Sequence, residues 1–100
     1  MVTTVAPATQ PRGFRMPTHD ELVSAYRSII EGREKAHSLK KLSKAPANVN
    51  KYPAYNITRP GVMGVGKTVY VINGEMYLKT QVVSPNAKPH WYKAGPAPLF

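Results

Sequence analysis

The sequence predicts a small α+β domain: one N-terminal helix packed on a β-hairpin, flanked by extended proline-rich arms. Three observations lead to that expectation. A helix-start signature at Thr18-His19-Asp20-Glu21 precedes an apolar stripe, Asn73-Gly74 divides two alternating segments, and the ten prolines all lie outside both. The chain divides accordingly into a basic arm over residues 1–17, a helix-plus-hairpin domain over 18–83 with an irregular connector at 45–66, and a proline- and aromatic-rich tail over 84–100.

Size and charge bound the function classes. With 100 residues the chain forms one small domain at most, and a chain of this length buries roughly 60–65% of its unfolded surface. A deep catalytic pocket is not expected. Fourteen Lys and Arg stand against five Asp and Glu, a formal net charge of +9, which favours polyanionic partners. The absence of cysteine excludes a disulfide framework, a thiolate metal site and a cysteine nucleophile. No apolar run approaches the ~20 residues that span a bilayer, so membrane insertion is not expected. Residues 1–10 lack the charged start and apolar middle of a secretory leader.

Within the first arm, Pro7, Pro11 and Pro17 stand among Thr, Ala and Gln with Arg12 and Arg15. Proline removes backbone donors and biases its predecessor away from helix, so this segment reads as extended. At the next step Thr18 is placed to cap the amide of Glu21 while Glu21 reaches back to the amide of Thr18, a capping box. Asp20 and Glu21 complement the positive helix end. Leu22, Tyr26, Ile29 and Ile30, with Val23 beside them, follow at helical spacing, and the pattern predicts a helix over residues 19–44. Gly32 permits a bend or break within it.

The connector carries Pro46, Pro53 and Pro60, which prevent a helix. The hairpin follows, with strands over residues 67–72 and 75–83. Asn-Gly suits a type I′ turn, whose two central residues both take positive φ. A two-residue turn pairs Ile72 with Glu75, Val71 with Met76, Tyr70 with Tyr77 and Val69 with Leu78. One face then carries Val69, Val71, Met76 and Leu78, and the other Thr68, Tyr70, Ile72, Tyr77 and Lys79. A lone hairpin is marginal in water, so its apolar face is expected to meet Leu22, Tyr26 and Ile29. Beyond it, Pro85, Pro89, Pro96 and Pro98 interleave with Trp91, Tyr92 and Phe100, and the tail reads as an extended arm with aromatic anchors.

Residues 61–68, Gly-Val-Met-Gly-Val-Gly-Lys-Thr, match the phosphate-loop pattern G-x-x-x-x-G-K-[ST]. That chemistry needs a buried strand before the loop, a helix after it and an acidic residue for magnesium. The sequence supplies Asn-Ile-Thr-Arg-Pro before it and a strand-like alternation after it, which leaves a P-loop nucleotide binder as a remote alternative. His19, His37 and His90 have no ligand-like spacing, and the acids Asp20, Glu21, Glu31, Glu34 and Glu75 are scattered. No catalytic residue, metal or cofactor is expected. Asn56-Ile57-Thr58 matches a glycosylation sequon without a secretory context.

The broader signal is basic. Arg33, Lys35, Lys40, Lys41, Lys44, Lys51 and Arg59 stand against Glu34 alone between residues 33 and 59. Such cations bind phosphates independently of sequence through counterion release, and Tyr52 and Tyr55 are placed to stack on bases or anchor a partner. A solvated charged face is the competing reading. Together these features predict a non-enzymatic structural protein that staples other protein subunits into a large assembly, foremost a virion capsid as a minor or cement-type component. Trp91, Tyr92, Phe100, Tyr52 and Tyr55 are its expected anchors. The alternative is a ribosomal or other ribonucleoprotein subunit, in cytoplasm or organelle matrix, whose basic residues meet RNA phosphates.

Overall fold

The computed structural model describes residues 16–99, so the arm before Met16 and the candidate anchor Phe100 lie outside the described residues. It shows one helix and a five-stranded antiparallel sheet, a small α+β arrangement. Helix α1 covers His19–Lys35. Its start follows the sequence signature: the Thr18 hydroxyl accepts from the Glu21 amide at 3.2 Å, and the Thr18 amide donates to Glu21 Oε1 at 2.8 Å.

The helix ends nine residues before the predicted residue 44. Gly32 is not the cause, because the backbone stays helical through it. His37 takes φ +55°, its amide donates to the Glu34 carbonyl at 3.1 Å and the Ser38 amide to the Arg33 carbonyl at 3.0 Å. These paired bonds are a Schellman termination with histidine where glycine is usual. The Ser38 hydroxyl adds a bond to the same Arg33 carbonyl at 3.2 Å.

Downstream of the turn lie strand β1 (Lys40–Leu42), a single 3₁₀ turn at Val49–Lys51, β2 (Ala54–Asn56), β3 (Val65–Ile72), β4 (Glu75–Val82) and β5 (His90–Pro96). The sheet order is β1-β5-β4-β3-β2, and every neighbouring pair is antiparallel. The β3–β4 hairpin has the predicted register, from Ile72 opposite Glu75 to Val69 opposite Leu78. Asn73 at φ +50° and Gly74 at φ +79° supply the two positive angles of its turn.

Two segments differ from the sequence expectation. Part of the connector becomes β2, because Pro53 and Pro60 flank rather than interrupt Ala54–Asn56, which pairs with β3. In the tail, residues 90–96 form β5 inside the sheet, between β1 and β4, where an extended arm was expected. Pro89 precedes the strand and Pro96 ends it, so neither removes a donor from its middle.

The core gathers Tyr26 and Ile30 from α1 with Ile57, Val69, Met76, Leu78 and Ala94. Ile30, Val69, Met76 and Leu78 are fully buried, each contributing about 1.5–3 kcal/mol by the transfer of its apolar surface from water. Burial and a neighbouring Tyr55 push the Tyr26 phenol above its ordinary pKa. Opposite the core the register places Tyr70, Lys79 and Trp91 together. Trp91 is buried there, with the Tyr70 ring centroid 5.5 Å away and Lys79 Nζ 5.8 Å from its own ring centre.

The β4–β5 pairing slips by one residue. Met76 faces Gly95 and Tyr77 faces Lys93, leaving Ala94 as the extra residue of a bulge. Arg33 Nη1 donates to the carbonyls of Ala94 and Pro96, tying the last turn of α1 to this bulge. Gly95 sits at φ +93°, and a Cβ there would lie 3.0 Å from Arg33 Nη1. Gly95→Val is therefore expected to destabilise the fold by about 2–3 kcal/mol, through left-handed strain and crowding of the guanidinium. His37→Gly is expected to act oppositely, adding about 1 kcal/mol by relieving the strain at the helix end. Urea unfolding of the two variants beside the native chain checks both signs.

Candidate polyanion and partner surfaces

The seven basic candidates divide into three groups. Arg33 is turned inward to the β5 bulge, and Arg59 forms a two-pronged ion pair with Glu31, Nε to Oε2 at 2.6 Å and Nη2 to Oε1 at 2.7 Å. Lys35, Lys40, Lys41 and Lys44 are exposed around the C-terminal end of α1 and along β1, an edge of the sheet. Lys51, also exposed, ends the 3₁₀ turn that precedes β2. Among the described residues, none of these five lysines is paired with an acidic side chain.

The reason lies in where the carboxylates go. Glu31 holds Arg59, Glu34 grips Lys67 Nζ with both oxygens at 3.0 Å, and Glu75 pairs with Lys93 at 3.1 Å. Asp20 and Glu21 occupy the first turn of α1. Arg27, which the sequence did not single out, donates to the carbonyls of Ile57 at 3.0 Å and Thr58 at 3.4 Å. The helix thus directs Arg27, Glu31 and Glu34 toward the chain around β2 and β3. Among the described residues, the charged side chains within β1 are both lysines.

The aromatic candidates are used differently. Tyr55 is stacked by His19 at 5.6 Å and tilted against Tyr26 at 5.0 Å, which makes it part of the domain's own packing. Trp91 is buried on the sheet, and Tyr92 is half-buried against the core. Tyr52 is half-buried just after the 3₁₀ turn.

A surface that the sequence analysis missed lies at the open end of the β3–β4 hairpin. Val62, Met63, Val65, Val82 and Val83 are all exposed, Met63 at 92% and Val83 at 81%. Thr58, Val62, Met63, Gly64, Val65, Gly66 and Val83 line one open hollow there. The Val83 amide bonds the Gly64 carbonyl at 2.9 Å, so this cluster is held by the backbone. The available signal was Val62-Met63 and Val82-Val83 flanking opposite ends of one hairpin, residues that a two-residue turn brings side by side.

Lys67 and Thr68 of the phosphate-loop pattern lie within β3, and Lys67 is occupied by Glu34. A strand therefore follows Gly66 where a phosphate cradle needs a helix N-terminus. The Asn56 side chain accepts from the Thr58 amide at 3.0 Å, an Asx turn, and the Thr58 hydroxyl accepts from the Lys67 amide at 2.8 Å. Both polar residues of the sequon thus serve the turn between β2 and β3. Among the described residues there is no group of three His, Cys, Asp or Glu placed to hold a metal, and no helix long and apolar enough to cross a membrane.

The hydrogen bond from Arg59, with the attraction of its charge, holds the Glu31 carboxyl below its ordinary pKa of 4.5, and Glu31 in turn raises Arg59. A depressed carboxyl binds fewer protons in the folded chain than in the unfolded one. Its stabilising contribution is full above pH 4.5 and is lost as pH falls through the depressed value. In Glu31→Gln the stability-against-pH curve is expected to flatten across that acid range and keep its shape above pH 6, as read by thermal unfolding at a series of pH values. The chain matches no protein-family model, no curated protein and no solved structure.

Proposed function

We propose that this chain is a small non-enzymatic structural component of a large assembly, foremost a minor or cement-type protein of a virion shell, seated on neighbouring protein subunits. The observation that supports this reading is the exposed apolar cluster of Val62, Met63, Val65, Val82 and Val83. Clustered, in place of singly scattered, exposed apolar side chains are the surface feature that marks contact with another molecule. Strand pairing and the Val83–Gly64 bond fix the cluster in place, so little ordering entropy opposes its docking.

A second reading, a ribonucleoprotein subunit, is favoured by the unpaired lysines of the β1 edge. The two readings differ in their response to salt. Apolar contact persists as ionic strength rises, whereas phosphate contact weakens steeply.

The test is sedimentation of the native particle through a gradient, before and after nuclease digestion and across a salt series. The chain is expected to stay with a nuclease-treated protein shell at 0.5 M salt, roughly five times the ionic strength at which screening reaches ~10 Å. The double variant Met63→Asp/Val83→Asp is expected to remain at the top of the gradient, with a thermal midpoint close to that of the native chain because both positions are exposed. Release of the native chain by nuclease or moderate salt would establish the ribonucleoprotein reading instead.

A further inference from the structure

We infer that the β1 edge is a sequence-independent binding face for a nucleic-acid backbone, formed by Lys35, Lys40, Lys41, Lys44 and Lys88. Lys35 lies in the last turn of α1, Lys40 and Lys41 in β1, and Lys44 two residues beyond its end. Antiparallel pairing of Leu42 with Trp91 brings that end of β1 beside the start of β5, two residues after Lys88. All five side chains are exposed and, among the described residues, unpaired.

Edge lysines commonly block strand-to-strand association. That role accounts for Lys40 and Lys41, but Lys35, Lys44 and Lys88 lie outside any strand. Cross-strand register also sets Lys40 directly opposite Lys93. Like charges facing one another across a sheet repel, and Glu75 answers Lys93 alone. A row of anions along the edge would relieve that repulsion.

The chemistry around the lysines selects the kind of anion. Peripheral membrane surfaces combine basic side chains with apolar ones that enter the lipid. Here the large apolar neighbours of β1, Leu39 and Leu42, are half-buried, and the exposed apolar cluster lies around the β3–β4 hairpin, across β5 from Lys40 and Lys41 and approached only by Lys88 in the β4–β5 loop. Lysine ammonium groups act as point charges toward phosphates, and phosphate contacts carry no sequence information. Backbone contact without sequence preference follows. The inference rests on the chain belonging to an assembly that contains nucleic acid, and it names the face that meets it.

The test uses the full-length chain and a fluorescein-labelled 24-base-pair DNA duplex, with affinity measured by anisotropy from 50 to 200 mM salt. Each phosphate contact gives a slope of about −0.9 in log K against log salt, so Lys40→Gln/Lys41→Gln/Lys44→Gln is expected to flatten the slope by about 2.7. Arg12 and Arg15 are the same in every variant and cancel in the comparison. Lys51→Gln is expected to leave the slope unchanged. A Lys51 effect as large as that of any β1-edge lysine would overturn the face in favour of diffuse attraction. No duplex binding, or lysine-dependent binding only to vesicles containing phosphatidylserine, would overturn the nucleic-acid assignment. Because the isolated chain is measured here and the particle in the gradient, the two readings fail independently: a lysine variant that still sediments with the shell leaves the structural role standing.

Discussion

The fold depends on holding β5 inside the sheet, and Arg33 is the side chain that does so from the helix. β5 separates β1 from β4, so among the described residues β1 has strand contact only through residues contributed near the end of the chain. A bulge in this position would leave a buried carbonyl short of a partner, at a cost of about 1–3 kcal/mol. Arg33 supplies the donor at Ala94 and reaches Pro96 as well. Gly95 makes the arrangement possible twice, through its positive φ and through the space it leaves for the guanidinium. Ala94 then enters the core beside Met76 and Leu78.

The placement of the helix also determines which cations remain outside. Five acids cannot offset fourteen bases, and the helix sends Glu31 and Glu34 to Arg59 and Lys67, on the side of the sheet away from β1. With Arg33 turned inward, the basic residues left without partners at the C-terminal end of α1 and along β1 are lysines. The charge asymmetry is therefore a product of the topology. The same composition with the helix laid over β1 and β5 would have placed its carboxylates against those lysines.

Legibility in the sequence followed the range of each interaction. The capping box at Thr18 and Glu21 and the hairpin about Asn73-Gly74 are local, and the register was readable to the residue because a two-residue turn fixes it. The end of α1 was not readable, since His37 replaces the glycine that usually marks it. β1 and β2 have three residues each, too few to show an alternation. β5 was hidden by its prolines, although His90-Trp91-Tyr92 carries strand-forming aromatics and the prolines stand at its limits. The candidate site shows the same division. Nothing local distinguishes Arg33 and Arg59 from Lys40 and Lys41, because their partners lie 61 and 28 residues away in the chain. Trp91 and Tyr55 read as anchors for another molecule because the rings that receive them, Tyr70 and Tyr26, are likewise distant in sequence.

The two proposed surfaces are physically separable. The exposed valines belong to the β3–β4 hairpin and its flanks, while Lys40 and Lys41 lie in β1 with β5 intervening, and Lys88 lies in the β4–β5 loop that follows Val83. Two inter-strand spacings set β1 about 10 Å from β4, which exceeds the Debye length of ~8 Å at physiological ionic strength. Charge neutralised at Lys40 and Lys41 therefore acts weakly at Val65 and Val82. One contact responds to salt and the other to burial of apolar surface. On the proposed reading, the apolar end would meet a protein subunit and the β1 lysines a phosphate backbone, two contacts of different physical kind.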